Sequence, residues 1–229
     1  QWQSNPSTDH DGDGCQDSGE DIDDDNDGVD DDSDLCQMGS LSWSSDATND
    51  YDGDGCEDST EDDDDDNDSV LDIDDSCVRG NLGWVSDTST TDHDGDGCQD
   101  DSSEDADDDN DGIEDSLDMC PKGDLGWISV STVTDYDSDG CRDDSSEDID
   151  DDNDGVVDPA NVQSPEEGED YCYRGNLGWL SDTSNDYDED GCRDDGEDND
   201  DDNDGVEDSL DMCPTGDLGW TSITAMNDY

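Results

Sequence analysis

The sequence contains no phenylalanine, and hydrophobic residues occupy only 24% of its 229 positions. No apolar run approaches the length that a membrane-spanning helix needs, so we expect no membrane insertion. A chain of this length with so few large apolar residues cannot bury enough apolar surface to offset the entropy lost on folding. We therefore expect either disorder or a fold held together by something other than a hydrophobic core.

Positive charge is nearly absent. The chain has 5 Lys and Arg against 80 Asp and Glu, and its formal net charge is -75. This charge excludes nucleic acid as a direct partner, because phosphate binding requires basic side chains.

Histidine is also scarce, with two in the chain, and we find no Ser/His/Asp arrangement and no phosphate-binding loop. Without an apolar pocket to separate the pKa values of neighbouring carboxyl groups, we expect that the protein is not an enzyme.

Ten cysteines at regular spacing argue against simple disorder. An even number of cysteines in such a pattern is typical of a disulfide framework in an extracellular or cell-surface protein. A cysteine–zinc site is a poor alternative, because CxxC pairs are absent.

The acidic residues recur in register. The tripeptide Asp-[His/Tyr]-Asp returns after 41, 42, 43 and 51 residues, and each unit then continues with DxDxDGC, ED, DDDND, a second Cys and a Trp-containing linker. This predicts repeats at 9–49, 50–91, 92–134, 135–185 and 186–227, with 1–8 ending a preceding repeat and 228–229 starting another. The fourth repeat carries an inserted surface loop at about 159–171. We expect the chain to be a window on a longer array, or one of several assembled copies.

The first acidic stretch of each repeat follows the calcium-loop pattern D-x-[DN]-x-[DN]-G-x5-E. Calcium takes six to eight oxygen ligands, the glycine at position six permits a sharp turn, and position seven contributes a backbone carbonyl. In the third and fourth repeats Ser occupies position twelve, so the Glu one step later is the candidate. The candidate ligands of these first loops are Asp9, Asp11, Asp13, Cys15, Asp17 and Glu20; Asp50, Asp52, Asp54, Cys56, Asp58 and Glu61; Asp92, Asp94, Asp96, Cys98, Asp100 and Glu104; Asp135, Asp137, Asp139, Cys141, Asp143 and Glu147; and Asp186, Asp188, Asp190, Cys192, Asp194 and Glu197.

A second loop follows at once in every repeat, which predicts about two calcium ions per repeat and about ten in all. Ser69 replaces the loop glycine in the second repeat, and the insertion removes the twelfth-position acid in the fourth, where Asn161 would stand. The candidate ligands of the second loops are Asp23, Asp25, Asp27, Val29, Asp31 and Asp34; Asp64, Asp66, Asp68, Val70, Asp72 and Asp75; Asp107, Asp109, Asp111, Ile113, Asp115 and Asp118; Asp150, Asp152, Asp154, Val156 and Asp158; and Asp200, Asp202, Asp204, Val206, Asp208 and Asp211.

A solvated acidic array is the alternative to metal binding. One match in so acidic a chain would be weak evidence, but ten copies in register favour calcium. No room is left for the amphipathic helices that flank an EF-hand loop. We therefore expect mostly irregular chain wrapped on metal ions, with metal binding supplying the folding free energy.

The pattern DxDxDGC…DDDNDGVxDxxDxC, carried by DHDGDGCQD, DDDNDGVDDDSDLC and their four relatives, resembles the thrombospondin type 3 repeat. The resemblance covers essentially the whole chain. It implies an elongated, calcium-filled extracellular array with little helix or strand and one disulfide per repeat. The linkers NLGW, DLGW and SLSW replace the family's Asn-Pro-rich turn, so the chain is more similar to long microbial surface proteins built from such units.

Two cysteines that flank a linker are always 20 or 21 residues apart. The two cysteines within one repeat are 21 to 31 residues apart. A constant loop length favours pairing across the linker, and the resemblance implies the same. The expected disulfides are Cys36–Cys56, Cys77–Cys98, Cys120–Cys141 and Cys172–Cys192. Cys15 and Cys213 would then need partners outside this chain segment, and a Cys15–Cys36 bond would contradict this pairing.

Each linker carries a tryptophan, which we interpret as a small packing centre in preference to a carbohydrate platform. His10 and His93 share their place with tyrosines, so we interpret them as packing or surface residues. The Ser/Thr-rich linkers are candidates for O-glycosylation, and Asn67 is a less favoured N-glycosylation site.

The repeats, acidic loops and cysteines together predict an extracellular structural segment of a calcium-rigidified rod or fibre, whose partners are further copies or a continuation of the array. An adhesin stalk or a calcium-buffering, mineral-associated protein is the alternative.

Overall fold

The computed structural model describes residues 2–160, 166, 168–219 and 221–222. Across these residues the chain forms turns, bends and extended segments without a helix or a strand, and its one β-bridge is the isolated parallel pair of Ser131 and Asp135. The prediction of a mostly irregular fold is confirmed. It follows that the described part of the chain has no helix long and apolar enough to cross a membrane. The chain divides into two compact units, Gln1–Asp108 and Asp109–Tyr229.

Aspartate side chains direct the chain into turns. The Cys15 N–H donates to Asp13 Oδ1 at 2.7 Å, and the Val29 N–H donates to Asp27 Oδ1 at 2.7 Å. A carboxylate that accepts from the N–H two residues ahead stabilises an Asx turn, and such turns compete with helix and strand for the same backbone groups. The DxDxD sequence therefore makes a chain of consecutive turns.

The second loops contain two left-handed positions. In the first repeat these are Asn26, with φ 59°, and Gly28, with φ 101°. Asn and Gly are the residues that adopt this conformation most readily. In the second repeat the glycine place is taken by Ser69, which keeps the left-handed conformation with φ 82°. That loop therefore retains its shape at a cost of about 1–2 kcal/mol in backbone strain.

Disulfides close the linkers. The four bonds are those expected from the constant linker separations, namely Cys36–Cys56 and Cys77–Cys98 in the first unit and Cys120–Cys141 and Cys172–Cys192 in the second. Cys15 and Cys213 are free thiols. Four intramolecular disulfides are typical of a protein that folds in an oxidising, extracellular environment.

The interior is built from carboxylates. Among the described residues the buried hydrophobic side chains are Cys56, Cys98, Trp127, Cys141 and Cys192. Aspartates make up most of the rest of the interior, and many of them, such as Asp50, Asp68 and Asp170, are no more than 2% exposed. Acidic side chains are rarely buried unless a positive charge or a metal compensates them. The five Lys and Arg of the chain are too few for this task.

In the first, second, fourth and fifth repeats, the second residue of the first loop contacts the linker of its own repeat. The Tyr51 hydroxyl donates to the Gly80 carbonyl oxygen at 2.8 Å, and the His10 Nε2 lies 3.1 Å from the Gly39 carbonyl oxygen. The two side chains occupy the same place because each presents an apolar ring with a polar tip at similar reach. This explains why His and Tyr alternate there.

Backbone hydrogen bonds join each second loop to the next first loop. The Leu35 N–H donates to the Asp54 carbonyl oxygen at 2.8 Å, and the Tyr171 N–H donates to the Asp190 carbonyl oxygen at 2.7 Å. Each donor directly precedes a disulfide cysteine. Consecutive acidic loops are thus held together by a covalent bond and a hydrogen bond at adjacent residues.

The linker tryptophans are largely withdrawn from solvent. Trp127 is buried, and Trp43, Trp84 and Trp179 are half-buried, with indole Nε1 atoms that solvent does not reach. Trp220 lies outside the described residues. The burial agrees with a packing role for these side chains.

Candidate metal centres

The acidic loops gather their carboxylates as the sequence pattern predicts for positions one, three and five. Within each of the following sets, one carboxylate oxygen per residue lies within 4.8 Å of the others: Asp9, Asp11 and Asp13; Asp23, Asp25 and Asp27; and Asp50, Asp52 and Asp54. Three converging carboxylates at this spacing could hold a metal ion.

The first aspartate of a loop anchors the turn. Asp50 Oδ1 accepts from the N–H groups of Gly53 and Asp54 at 2.8 and 3.1 Å, and its Oδ2 accepts from Gly55 at 3.3 Å. Asp52 accepts from the Asp54 N–H at 3.1 Å and from the Asn67 side-chain amide, but burial still raises its pKa to about 6, with the negative charge of Asp54 acting in the same direction. The loop therefore imposes unfavourable burial and like-charge contact on its own carboxylates.

The ninth-position aspartates close the loops through the backbone. Asp58 Oδ1 accepts from the Tyr51 N–H at 3.0 Å, and Asp72 Oδ1 accepts from the Asp65 N–H at 2.9 Å. In each case the donor is the second residue of the same loop. One oxygen of the ninth-position carboxylate is thus engaged by the loop itself, which leaves one oxygen for an ion or a neighbouring side chain.

The twelfth-position aspartates of the second loops face their own loops. Burial raises the pKa of Asp34 to about 6, and the charges of Asp25 and Asp27 contribute to the increase. Asp34 Oδ1 accepts from the Cys36 N–H at 2.6 Å, but its buried Oδ2 has no hydrogen-bond partner within the described part of the chain. Asp75 is arranged in the same way in the second repeat. Its Oδ1 accepts from the Cys77 N–H, its buried Oδ2 has no hydrogen-bond partner among the described residues, and burial raises its pKa, with the charge of Asp68 acting in the same direction.

Asp170 was missed by the sequence analysis. In the fourth repeat Asn161 lies outside the described residues, and Asp170, beyond the insertion, stands where Asp34 stands in the first. It is fully buried, and its Oδ1 accepts from the Cys172 N–H at 2.5 Å. Burial raises its pKa to about 8, with the charges of Asp154 and Asp152 acting in the same direction. Counting back two residues from the cysteine, instead of forward from the loop start, would have found it.

The glutamates predicted to close the first loops contact the preceding linker instead of their own triads. Glu104 accepts hydrogen bonds from the Asn81 N–H at 2.7 Å and the Gln99 N–H at 3.3 Å. Its carboxylate also lies beside the Gly80 Cα, next to Asp66 of the preceding second loop. Glu61, Glu147 and Glu197 occupy corresponding places, whereas Glu20 is exposed.

The aspartate that follows each of these glutamates lies nearer to the first-loop triad. Burial raises the pKa of Asp62 to about 7, and the charges of Asp54 and Asp52 add to the effect. The calcium-loop pattern does not include these aspartates, because it ends at position twelve. In the described structure, one buried oxygen has no hydrogen-bond partner in each of Asp21, Asp62, Asp148 and Asp198.

The donor chemistry of these centres fits a hard cation. Carboxylate oxygens dominate every loop, and buried oxygens without hydrogen-bond partners recur at corresponding positions. Soft or borderline metals would favour imidazole and thiolate ligands. No protein-family model and no curated protein matches this chain. The metal-binding assignment therefore depends on the loop geometry and its donor atoms.

The raised pKa values predict that acid can partly replace the metal. The pKa values of Asp154, Asp62 and Asp170 are raised to about 7, 7 and 8, from an ordinary value of 3.8. The metal-free folded state therefore binds more protons than the unfolded chain, and its stability falls as pH rises from about 4 to about 8. We expect the near-UV circular dichroism of the tryptophans, measured in metal-free buffer, to weaken across this range.

Saturating calcium is the control for this titration. The bound ion keeps the carboxylates ionised, so the signal should persist at pH 8 and should decrease toward pH 5, where protons compete for the ligands. A metal-free signal that stays constant between pH 4 and 8 would show that these carboxylates are not buried together in solution.

Proposed function

We propose that this chain is a calcium-binding structural segment of an extracellular rod or fibre, built from tandem units similar to thrombospondin type 3 repeats, with about two calcium ions in each unit. In this proposal the protein is not an enzyme. Its partners are further copies of the array or its continuation, and Ser/Thr linkers are sites for glycans.

The observation that carries the proposal is the carboxylate interior. Two like charges about 4 Å apart repel by about 1 kcal/mol in water and by about 4 kcal/mol at an effective dielectric constant of about 20. The loops hold at least three such groups within 4.8 Å of one another. A divalent cation converts this repulsion into coordination, so binding and folding are one process.

Calcium is favoured over other hard cations by the shape of the loops. Magnesium requires compact octahedral geometry and keeps most of its water, whereas calcium accepts six to eight oxygens at longer, more variable distances. Carboxylate triads supplemented by a twelfth-position acid such as Asp34 match the larger and more flexible shell.

A structural role is supported by the way neighbouring loops are joined. The Cys36–Cys56 disulfide and the hydrogen bond from Leu35 to Asp54 connect one second loop to the next first loop. Units that contact mainly their neighbours can be extended indefinitely, and their stiffness depends on the junctions. With calcium at every loop, such a chain would resist bending.

Calcium titration of the oxidised, metal-free protein tests the proposal. Hydrodynamic radius and near-UV circular dichroism should change together over a narrow calcium range, with several ions taken up per chain. Magnesium at the same concentration serves as the control for simple charge screening, and it should produce a much smaller change. An expanded chain without a tryptophan signal at millimolar calcium would favour the calcium-buffering or mineral-associated alternative.

A further inference from the structure

Two arginines occupy a recurrent position between the first and second loops of their repeats. Arg79 binds Asp58 at 2.5 Å and Asp65 at 2.9 Å. Arg174 binds Asp143 at 2.6 Å and Asp151 at 2.8 Å. We call the two aspartates the interloop pair. They are the ninth residue of the first loop and the second residue of the second loop, and the arginine follows the second cysteine by two residues.

The arginines neutralise carboxylates that are almost completely buried. The side chains of Asp58 and Asp65 are 3% and 6% exposed, and that of Asp143 is fully buried. A guanidinium presents several donors in one plane and can therefore bridge two carboxylates. The interloop pair thus has a cation supplied by the chain itself in repeats two and four.

The first and fifth repeats have the pair without the arginine. The pair is Asp17 and Asp24 in the first repeat, where Met38 stands in the place of Arg79. In the fifth repeat the pair is Asp194 and Asp201, and Thr215 stands in that place. Neither methionine nor threonine can neutralise a carboxylate.

The backbone around the first pair matches that around the second. The His10 N–H donates to Asp17 Oδ1 at 3.0 Å, as the Tyr51 N–H does to Asp58. The Gly39 N–H donates to Asp25 Oδ2 at 2.8 Å, as the Gly80 N–H does to Asp66 at 2.7 Å. The missing charge is therefore not explained by a different local fold.

The first repeat gathers a third carboxylate at this position. One oxygen from each of Asp17, Asp21 and Asp24 lies within 4.8 Å of the others. Asp24 is only 5% exposed, yet its Oδ1 has no hydrogen-bond partner in the described structure. An ionised carboxylate that is buried without a partner is very unfavourable, so this position requires a cation.

We propose that Asp17, Asp21 and Asp24 bind an additional calcium ion, distinct from those of the two loops, and that Arg79 and Arg174 replace this ion in repeats two and four. Asp194, Asp198 and Asp201 form the corresponding site in the fifth repeat, where Asp198 and Asp201 each have a buried oxygen without a partner among the described residues. The inference rests on the proposed calcium binding. Three carboxylates supply part of the ion's shell, and water completes it.

Counting bound ions by native mass spectrometry of the full, oxidised, calcium-loaded chain tests the inference. The Met38→Arg variant places a guanidinium at the site and should bind one calcium ion fewer than the parent protein. The Arg79→Met variant opens the corresponding site and should bind one more. Met38→Gln removes the methionine without adding charge, and Gln37→Arg adds the same charge one residue away, so both controls should keep the parental count.

Unchanged ion counts in both Met38→Arg and Arg79→Met would overturn the additional site while leaving the loop sites intact. An equal loss in Met38→Arg and Gln37→Arg would also overturn it, because the effect would then be one of net charge. A parent protein that retains no calcium would instead overturn the proposed function and the additional site together. The two proposals can therefore fail separately.

Discussion

Asp170→Asn is expected to remove one calcium ion from the fourth repeat and to unfold the region around it. Asp170 is fully buried, and the negative charges of Asp154 and Asp152 act on it most strongly. Replacing even an outer-shell partner of a metal site typically weakens binding about 10- to 100-fold, so loss of a direct ligand should cost about 100-fold or more. Calcium titration should show this as one weakened site.

Hydrogen exchange locates the effect of this substitution. The amides of Tyr171 and Cys172, which donate to Asp190 and Asp170, should lose protection at calcium concentrations that fold the parent chain. Glu166→Gln is the matched control, because it removes one negative charge from an exposed side chain of the same insertion. If both variants bind calcium alike, Asp170 is not a ligand and the fourth repeat's second loop closes by another route.

Removal of the Cys77–Cys98 disulfide, by replacing both cysteines with serine, should raise the calcium concentration needed for folding. The bond closes a segment with a sequence separation of 21. Closing a loop of this size stabilises a folded state by about 3 kcal/mol, mainly because it restrains the unfolded chain. This corresponds to a factor of about 100 in the folding constant. The effect should be large here because the like charges of the metal-free loops expand the unfolded chain further.

The calcium midpoint of the near-UV signal measures this shift, and Cys213→Ser is the control. Cys213 is a free, exposed thiol, so its replacement removes sulfur without opening a loop. The double variant should still fold when calcium is saturating, because the ions remain the principal source of stability. A double variant with the parental midpoint would mean that the carboxylate loops fold without help from the linker bonds.

The sequence predicts the backbone of this protein better than it predicts which carboxylates meet in its interior. Alternate aspartates interrupted by glycine specify turns through local hydrogen bonds such as Asp27 to Val29, and local rules suffice for these. The disulfides also follow from the sequence, because the linker length varies so little. Both features depend on residues that are close together along the chain or kept at constant spacing.

The surroundings of several acidic side chains could not be predicted from the sequence, because they depend on contacts between loops. Glu104, one step beyond position twelve, was the candidate to close its loop, but its carboxylate accepts hydrogen bonds from the N–H groups of Asn81 and Gln99. Asp170 was hidden because the insertion breaks the forward count, although its distance from Cys172 is that of Asp34 from Cys36. Asp24 falls at a position to which the loop pattern assigns no ligand. Its need for a positive charge becomes evident only from the second repeat, where Arg79 binds the corresponding residue, Asp65.

The linker disulfides also determine how a pulling force would travel along the chain. Tension that reaches Cys36 passes through the sulfur–sulfur bond to Cys56, so the linker between them, with Trp43, carries no load. The load then runs through residues 56–77, which contain the acidic loops of the second repeat. The disulfides therefore carry the pulling force past the linkers, whereas the carboxylate loops remain under the full force. The longest of these segments between disulfides is 141–172, which contains the insertion of the fourth repeat.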